Sequence, residues 1–489
     1  MRKRFEQQLT LGIKPISETQ ILLKCRDDVP ALVITLLKIF NTPKYNKKIF
    51  WLLEEKILKG KKKTGRKGLD LWQIFVLAQF RLGLNIDYDR LHYMANSDST
   101  LRQLLGIESE TGFERKILGY QRILDNVHLL DDETLKKIND VIVEFGHKKV
   151  FKKKEYVALN VKTDSFVVES NVHFPTDYGL LWDSSRKALD TIEKFTNKYS
   201  SIKGWRKLDD WFKSLKNLSK AVGKASASGG KGKTERVKTT TKNYLTKAIS
   251  FKNKLVKSKS DLLIIDEADL VNLLELERFV ILIDKHINLV DSRIMKGEKI
   301  PHEEKLFSIF EEYTEWITKG KKRPNVELGK MLSITTDQYG LILDHYIMEN
   351  ESDSQVVLPI ADRVLMKYKI NSWSFDKGFW HKDNKWLLKT AVEKVIMPKK
   401  GKRNMQETEE EHTPAFKKLK NKHSAVESNI NELEHRGLDR CPDKGYHGFK
   451  RYVGTGITAY NLHRIGKQLI KLELEKQKKN KRRILKSVA

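Results

Sequence analysis

The sequence predicts a mixed α/β chain with a helical head and a helical block inserted into its sheet. Three observations predict it. Apolar residues recur at helical spacing through residues 1–150. At Lys152 the pattern turns to a β-rich run, Tyr156–Phe174. Strand-like segments return near residue 326 and then alternate with helices, as in a mixed sheet. The expected parts are therefore a helical domain over 1–150, a first sheet portion over 151–183, a helical insertion over 184–325, a second sheet portion over 326–470 and a basic tail over 471–489.

Composition narrows the partner. Lys and Arg number 94 against 64 Asp and Glu, a formal charge of +30 on 489 residues. An excess of that size points to a polyanion, and nucleic acid is the first reading. A Lys-, Ile- and Asn-rich usage supplies part of the excess. Cys25 and Cys441 make neither a zinc spacing nor a disulfide framework. No apolar run approaches the roughly 18 residues that span a membrane. The N-terminal Arg and Lys have no apolar segment behind them, so no signal peptide is read. The expected setting is cytoplasmic and nucleoid-associated, with no membrane partner.

In the head, Val29–Phe40 suits a buried helix with Pro30 near its start. The segment from Gly60 to Gly68 is a glycine-punctuated basic loop, and Lys61, Lys62, Lys63, Arg66 and Lys67 are read as phosphate contacts. Leu69–Leu84 is a strong helix. Shorter helices follow from Tyr88 and Ser97, the latter with Ser97 or Asp98 as cap. Acids at Asp131–Glu133 mark another helix start, where the dipole favours them. Several short helices with basic links make a DNA-binding head, with no single helix-turn-helix.

The strand at Lys162–Val168 carries Asp164 on the face it shares with Phe166 and Val168. A carboxylate beside apolar neighbours is costly unless paired or metal-bound; a strand-end cap is the plainer alternative. Pro175–Asp177 ends the run, and Asp177 or Asp183 caps a helix beginning near Ser184. Lys220–Lys242, rich in Lys, Ser, Gly and Ala, reads as a flexible linker inside the insertion. Leu332–Tyr346 is a hairpin turning at Asp337–Gly340, with Asp337 structural. A helix follows within Asp353–Tyr368, then a strand ending at Asp376, a helix over Lys382–Glu393 and a strand over Lys394–Pro398. Lys399, Lys400, Lys402 and Arg403 make a second basic loop. His423–Arg436 is a helix stopped by Gly437, with Val426, Ile430 and Leu433 buried and His423, Glu427 and Glu434 on one shoulder. His423 and Arg436 complete the set assigned to DNA.

Phosphodiester cleavage needs an activated oxygen nucleophile and neutralised charge at the leaving oxygen. Two Mg²⁺ ions about 3.5–4 Å apart supply both, held by hard oxygen ligands. Asp164, Asp376 and Glu427 sit on strand, strand end and helix shoulder, an economical cage for Mg²⁺, or Mn²⁺ in its place. A competing motif is Ala227–Thr234, which resembles a helicase phosphate loop, with Leu263–Asp269 resembling the metal-binding strand. Its context argues against ATP. A basic, helix-like run precedes it where a buried strand is required, and a continuous amphipathic helix follows Asp269.

On the stretches Thr163–Asp177, Ile334–Asp337, Phe375–Phe379 and His423–Asn429 the chain resembles DDE-type transposases of bacterial insertion sequences. The region from Gly65 to Leu105 resembles that family's N-terminal helical region, and Ala459–Gly466 its closing helix. The resemblance implies an RNase H-like catalytic core in which Asp164, Asp376 and Glu427 bind two metal ions. It implies nicking at the element's terminal inverted repeats and joining of the 3′ hydroxyls to target DNA, by a homodimer on paired ends. A related subgroup carries Tyr, Arg and Lys around its catalytic Glu; here Lys420, His423 and Glu434 stand at those places, so that signature is absent. Two alternatives accompany this reading: a metal-dependent DNA nuclease on the same fold, and a non-catalytic DNA-binding relic.

Overall fold

Strand β1, Leu159–Ser170, is the spine of the sheet in the computed structural model, which describes residues 2–5, 12–61, 68–110, 116–318 and 325–488. The chain divides into two compact units. One is Met1–Asn171 with Ile317–Ala489; the other is Val172–Trp316.

The first unit opens with α1 (Val29–Phe40), α2 (Pro43–Ile57), α3 (Leu71–Gly83), α4 (Tyr88–Ser97), α5 (Ser99–Leu104), α6 (Tyr120–Val127) and α7 (Asp132–Phe145). Asp98 caps α5 as expected, accepting from the Leu101 amide, and Asp131, expected only as a first-turn acid, is the cap of α7, accepting from the Thr134 amide. After the second unit come β2 (Glu315–Ile317), β3 (Glu327–Thr336), β4 (Ile342–Ile347), α12 (Val357–Leu365), β5 (Ile370–Phe375), α13 (Lys382–Ala391) and β6 (Lys394–Ile396). These lead to α14 (Met405–His412), α15 (Pro414–Leu433), β7 (Arg440–Cys441) and α16 (Gly445–Val488).

The seven strands form one mixed sheet in the order β2-β3-β1-β5-β6, with β4 also on β3 and β7 also on β1. β3 runs antiparallel to β1, while β5 and β7 run parallel to it. The hairpin β3–β4 turns at the expected place. Gly340 takes φ +76°, and the Asp337 carboxylate accepts from the Tyr339 and Leu341 amides at 2.8 and 2.9 Å. Asp337 also lies 2.5 Å from His147 Nε2, so it is structural.

The helical head is not a domain of its own. Its helices and the sheet share one apolar core, and α16 joins them. Gly466 lies so close to α1 that an added Cβ would stand 1.8 Å from the Ala31 carbonyl oxygen. Thr35 Oγ1 donates to the Leu462 carbonyl of α16 at 2.9 Å. Asn461 bonds Asn139 of α7 at 2.7 Å and both backbone groups of Ile342 in β4, at 2.8 and 2.9 Å. Change of local pattern near residue 150 is thus a change of element, not a boundary.

The second unit is a helical body of α8 (Asp177–Lys198), α9 (Leu208–Ala227), α10 (Lys233–Ser258) and α11 (Glu267–Val290) around its own core. It begins earlier than residue 184. Thr176, rather than Asp177 or Asp183, caps α8 by accepting from the Gly179 amide. The expected linker at Lys220–Lys242 is mostly helix. Leu215, Ser219 and Val222 of α9 and Thr241, Tyr244, Leu245 and Ala248 of α10 keep a buried stripe at helical spacing. The break is confined to Ser228–Gly232. The expected basic tail is the end of α16, continuous from Gly445. None of the described helices is long and apolar enough to cross a membrane.

Candidate active site

The β1–β5 ladder pairs Lys162 with Ser374 and Thr163 with Phe375. The ladder ends there, and Asp164 and Asp376 each follow its last pair by one residue. The face on which Asp164 lies is fixed by its neighbours. Thr163 turns into the core, where its Oγ1 accepts from Trp373 Nε1 at 2.8 Å and meets Thr335 Oγ1 at 2.7 Å. Alternation therefore puts Lys162, Asp164 and Ser374 on the opposite face. That is the face under α15, because Ser374 Oγ lies 3.0 Å from His423 Nδ1.

Asp376 is exposed and precedes a single 3₁₀ turn, Lys377–Phe379, which the buried Phe379 ring anchors. Gly378 lies close to Asp353: a Cβ there would stand 2.5 Å from Asp353 Oδ2, so the carboxylate would have to shift. Asp353 Oδ1 in turn accepts from Ser165 Oγ at 2.7 Å, so a further carboxylate borders the two candidate ligands. In the sequence Asp353 only opens a segment expected to contain a helix. Its neighbours lie 188 residues away in the chain, at Ser165, and no local pattern shows that meeting.

α15 begins at Pro414, earlier than expected, and lays His423, Val426 and Leu433 against the protein interior. Glu427 follows His423 by one helical turn and is exposed. Among the described residues no three His, Cys, Asp or Glu side chains lie close enough together to hold a metal ion. The structure thus places Asp164 and Asp376 one residue past the last β1–β5 pair and Glu427 on the covering helix. Carboxylate oxygens are the donor type that suits Mg²⁺ or Mn²⁺.

Burial pushes His423 down to about 4; Asp376 opposes that shift and Lys162 adds to it. The imidazole is neutral at pH 7, and among the described residues its Nε2 has no hydrogen-bond partner. It serves as a strut between α15 and β5, which corrects its assignment to phosphate contact. Lys162 is itself lowered by burial, partly offset by Asp337.

Arg436 is corrected in the same way. It is buried, donating to the Gly83 carbonyl at 2.7 Å and to Asp28 and Glu432 at 3.2 Å, so it ties the end of α15 to the head. In the second basic loop Lys399 is held by Glu407 at 2.6 Å and Arg403 by Glu411 at 2.9 Å, while Lys400 and Lys402 are exposed. Lys61 is exposed; Lys62, Lys63, Arg66 and Lys67 lie outside the described residues. The phosphate-loop look-alike, Ala227–Thr234, links α9 to α10 and follows a helix rather than a strand. Its supposed partner enters α11, where Asp266 is the N-cap and accepts from the Asp269 amide.

No family model, curated protein or solved structure matches the chain.

Proposed function

We propose that the chain is a DDE-type DNA transposase with an RNase H-like core, which nicks the ends of its element and joins the 3′ hydroxyls to target DNA. The observation that supports the reading is the register of β1 and β5, which ends at Thr163 opposite Phe375, one residue before each of Asp164 and Asp376. The mixed sheet, with an antiparallel neighbour on one side of β1 and a parallel one on the other, supports the core type. Asp164 and Asp376 would hold Mg²⁺ or Mn²⁺, with Glu427 as third ligand once α15 and DNA draw together; the bound ions would activate the attacking oxygen and neutralise the leaving one. The chain's own contribution is to fix that edge: Ser374–His423 seats α15, and the Phe379 anchor holds Asp376 at the strand end. The charge of +30 supplies attraction for a duplex and for a homodimer's paired ends.

The test is cleavage of labelled DNA bearing the ends that flank the protein's own gene, with Mg²⁺, beside Asp376→Asn. Cutting and joined product in the wild type, both lost in the variant, are expected. Cutting without joining would make it a nuclease on the same fold. Equal cutting by both proteins removes Asp376 from the chemistry. The open position of Glu427 favours one other reading, a non-catalytic DNA-binding protein; salt-sensitive binding without any metal-dependent cutting would establish it.

A further inference from the structure

The second unit is divided by charge. Residues 208–258, which hold α9 and α10, carry 13 Lys and Arg against three Asp and Glu. Residues 267–290, α11, carry five acids against two bases, and expose Leu270, Val271 and Leu274. The cations nearest α11 are neutralised: Lys198 pairs with Asp266 and Asp269, and Lys252 with Asp284. On the hairpin the reverse holds. Lys213, Lys220 and Lys224 fall on one exposed face of α9, opposite its buried Leu215, Ser219 and Val222, and Lys238 and Lys242 lie exposed on α10. Among the described residues none of these five has a carboxylate at ion-pair distance.

A lysine-rich face that merely keeps a protein dissolved need not be arranged against itself. Here Lys216 and Lys220, Lys220 and Lys224, and Lys238 and Lys242 are each four residues apart on a helix. Like charges at that spacing destabilise the helix that carries them. A polyanion laid along the hairpin would reverse the sign of that repulsion. The α9 row is also spaced for separate phosphates, with amines about 6 and 10 Å apart along the axis at 1.5 Å rise per residue. The tip, Ser228–Gly232, adds Lys231 on a glycine turn, which accounts for its likeness to a phosphate loop.

We propose that the outer faces of the α9–α10 hairpin hold duplex DNA by its phosphate backbone, without reading sequence. This rests on the reading that the chain acts on DNA. The contact supplies affinity and salt dependence, while the Asp164–Asp376 edge supplies the chemistry.

The test is fluorescence anisotropy of the full chain with a random duplex of about 30 bp, in EDTA, from about 50 to 200 mM KCl. The variant carries Lys213→Gln, Lys220→Gln, Lys224→Gln, Lys238→Gln and Lys242→Gln. A control removes five other exposed lysines, Lys14, Lys24, Lys47, Lys382 and Lys444. Each lost phosphate contact lowers the slope of log K against log salt by about 0.9, so the hairpin variant should lose about 3–5 from the slope and the control about 1 or less. Arginine at the same five hairpin positions should restore the slope, which separates charge from misfolding. An unchanged slope in the hairpin variant, equal losses in variant and control, or no recovery with arginine would overturn the proposal alone. A wild type with no salt-dependent duplex binding would overturn both this proposal and the DNA reading beneath it.

Discussion

Two sets of carboxylates in the first unit live in opposite surroundings. Where α3 meets α16, Asp443 is buried and receives Arg81 at 2.5 and 3.2 Å and Arg451 at 3.0 Å. Arg81 lies 4.1 Å above the Tyr88 ring and 5.3 Å from that of Tyr452. At the β1–β5 edge, Asp376 and Glu427 are exposed, and among the described residues neither has an ion pair. Asp443 has its counter-charges supplied from within the fold by Arg81 and Arg451.

A pair of isosteric substitutions should split the two sets. Asp376→Asn should lower metal-dependent cutting by about 10³-fold or more, the several kcal/mol a metal ligand controls, with the melting temperature unchanged. Asp443→Asn should destabilise by about 3–5 kcal/mol, because two buried guanidinium groups lose their counter-charge. Urea unfolding and the cleavage assay on both variants would decide it. If Asp376→Asn unfolds the protein, or Asp443→Asn leaves it as stable as before, the contrast is void. Burial alone would raise the Asp443 carboxyl, but Arg81 and Arg451 overcome it and hold the group below the ordinary carboxylate range. Its contribution is therefore complete above about pH 4 and falls away as pH drops through the folded value, so Asp443→Asn should flatten the acid limb of the stability curve.

The same contrast shows what the sequence could disclose. β1, the β3–β4 hairpin and β5 are legible because each has a local signature: alternation along the strands and a turn residue between them. The linker at Lys220–Lys242 was misread because composition was weighed above period. Lys and Ala are good helix formers, and the buried stripe from Leu215 to Ala248 breaks only across a short turn. The single core of head and sheet was not legible, since Thr35 and Leu462 meet across 427 residues of chain. Arg436 and His423 read as phosphate ligands for the same reason. Their partners Gly83, Asp28 and Ser374 belong to distant elements, and burial is not written beside a basic residue.

The second unit should also lose stability in mild acid, through a histidine of its own. His286 of α11 is fully buried, neither ring nitrogen has a hydrogen-bond partner among the described residues, and burial pushes it down to about 4. The unfolded chain takes up that proton near pH 6.5, so the stability of this unit is full above 6.5 and falls as pH drops towards 4. By pH 5 the loss should reach about 2 kcal/mol. Hydrogen exchange of α11 amides at pH 7 and pH 5, corrected for intrinsic rates, measures it. His286→Phe should abolish the difference, and a difference that survives this change would assign the acid response elsewhere.

The smallest expected effect bears on how the open site is held. Ser374 bonds the His423 imidazole, and that contact seats α15 on β5 one turn before Glu427. Ser374→Ala leaves the buried imidazole without a partner, which should cost about 1–3 kcal/mol. If the strut also aims α15, cleavage should fall more steeply than the melting temperature accounts for, and most at limiting Mg²⁺, where the third ligand matters most. Ser374→Thr keeps the hydroxyl and should recover both readouts. A Ser374→Ala protein that is less stable yet cuts normally at every Mg²⁺ concentration would show that the strut holds the fold and does not aim Glu427.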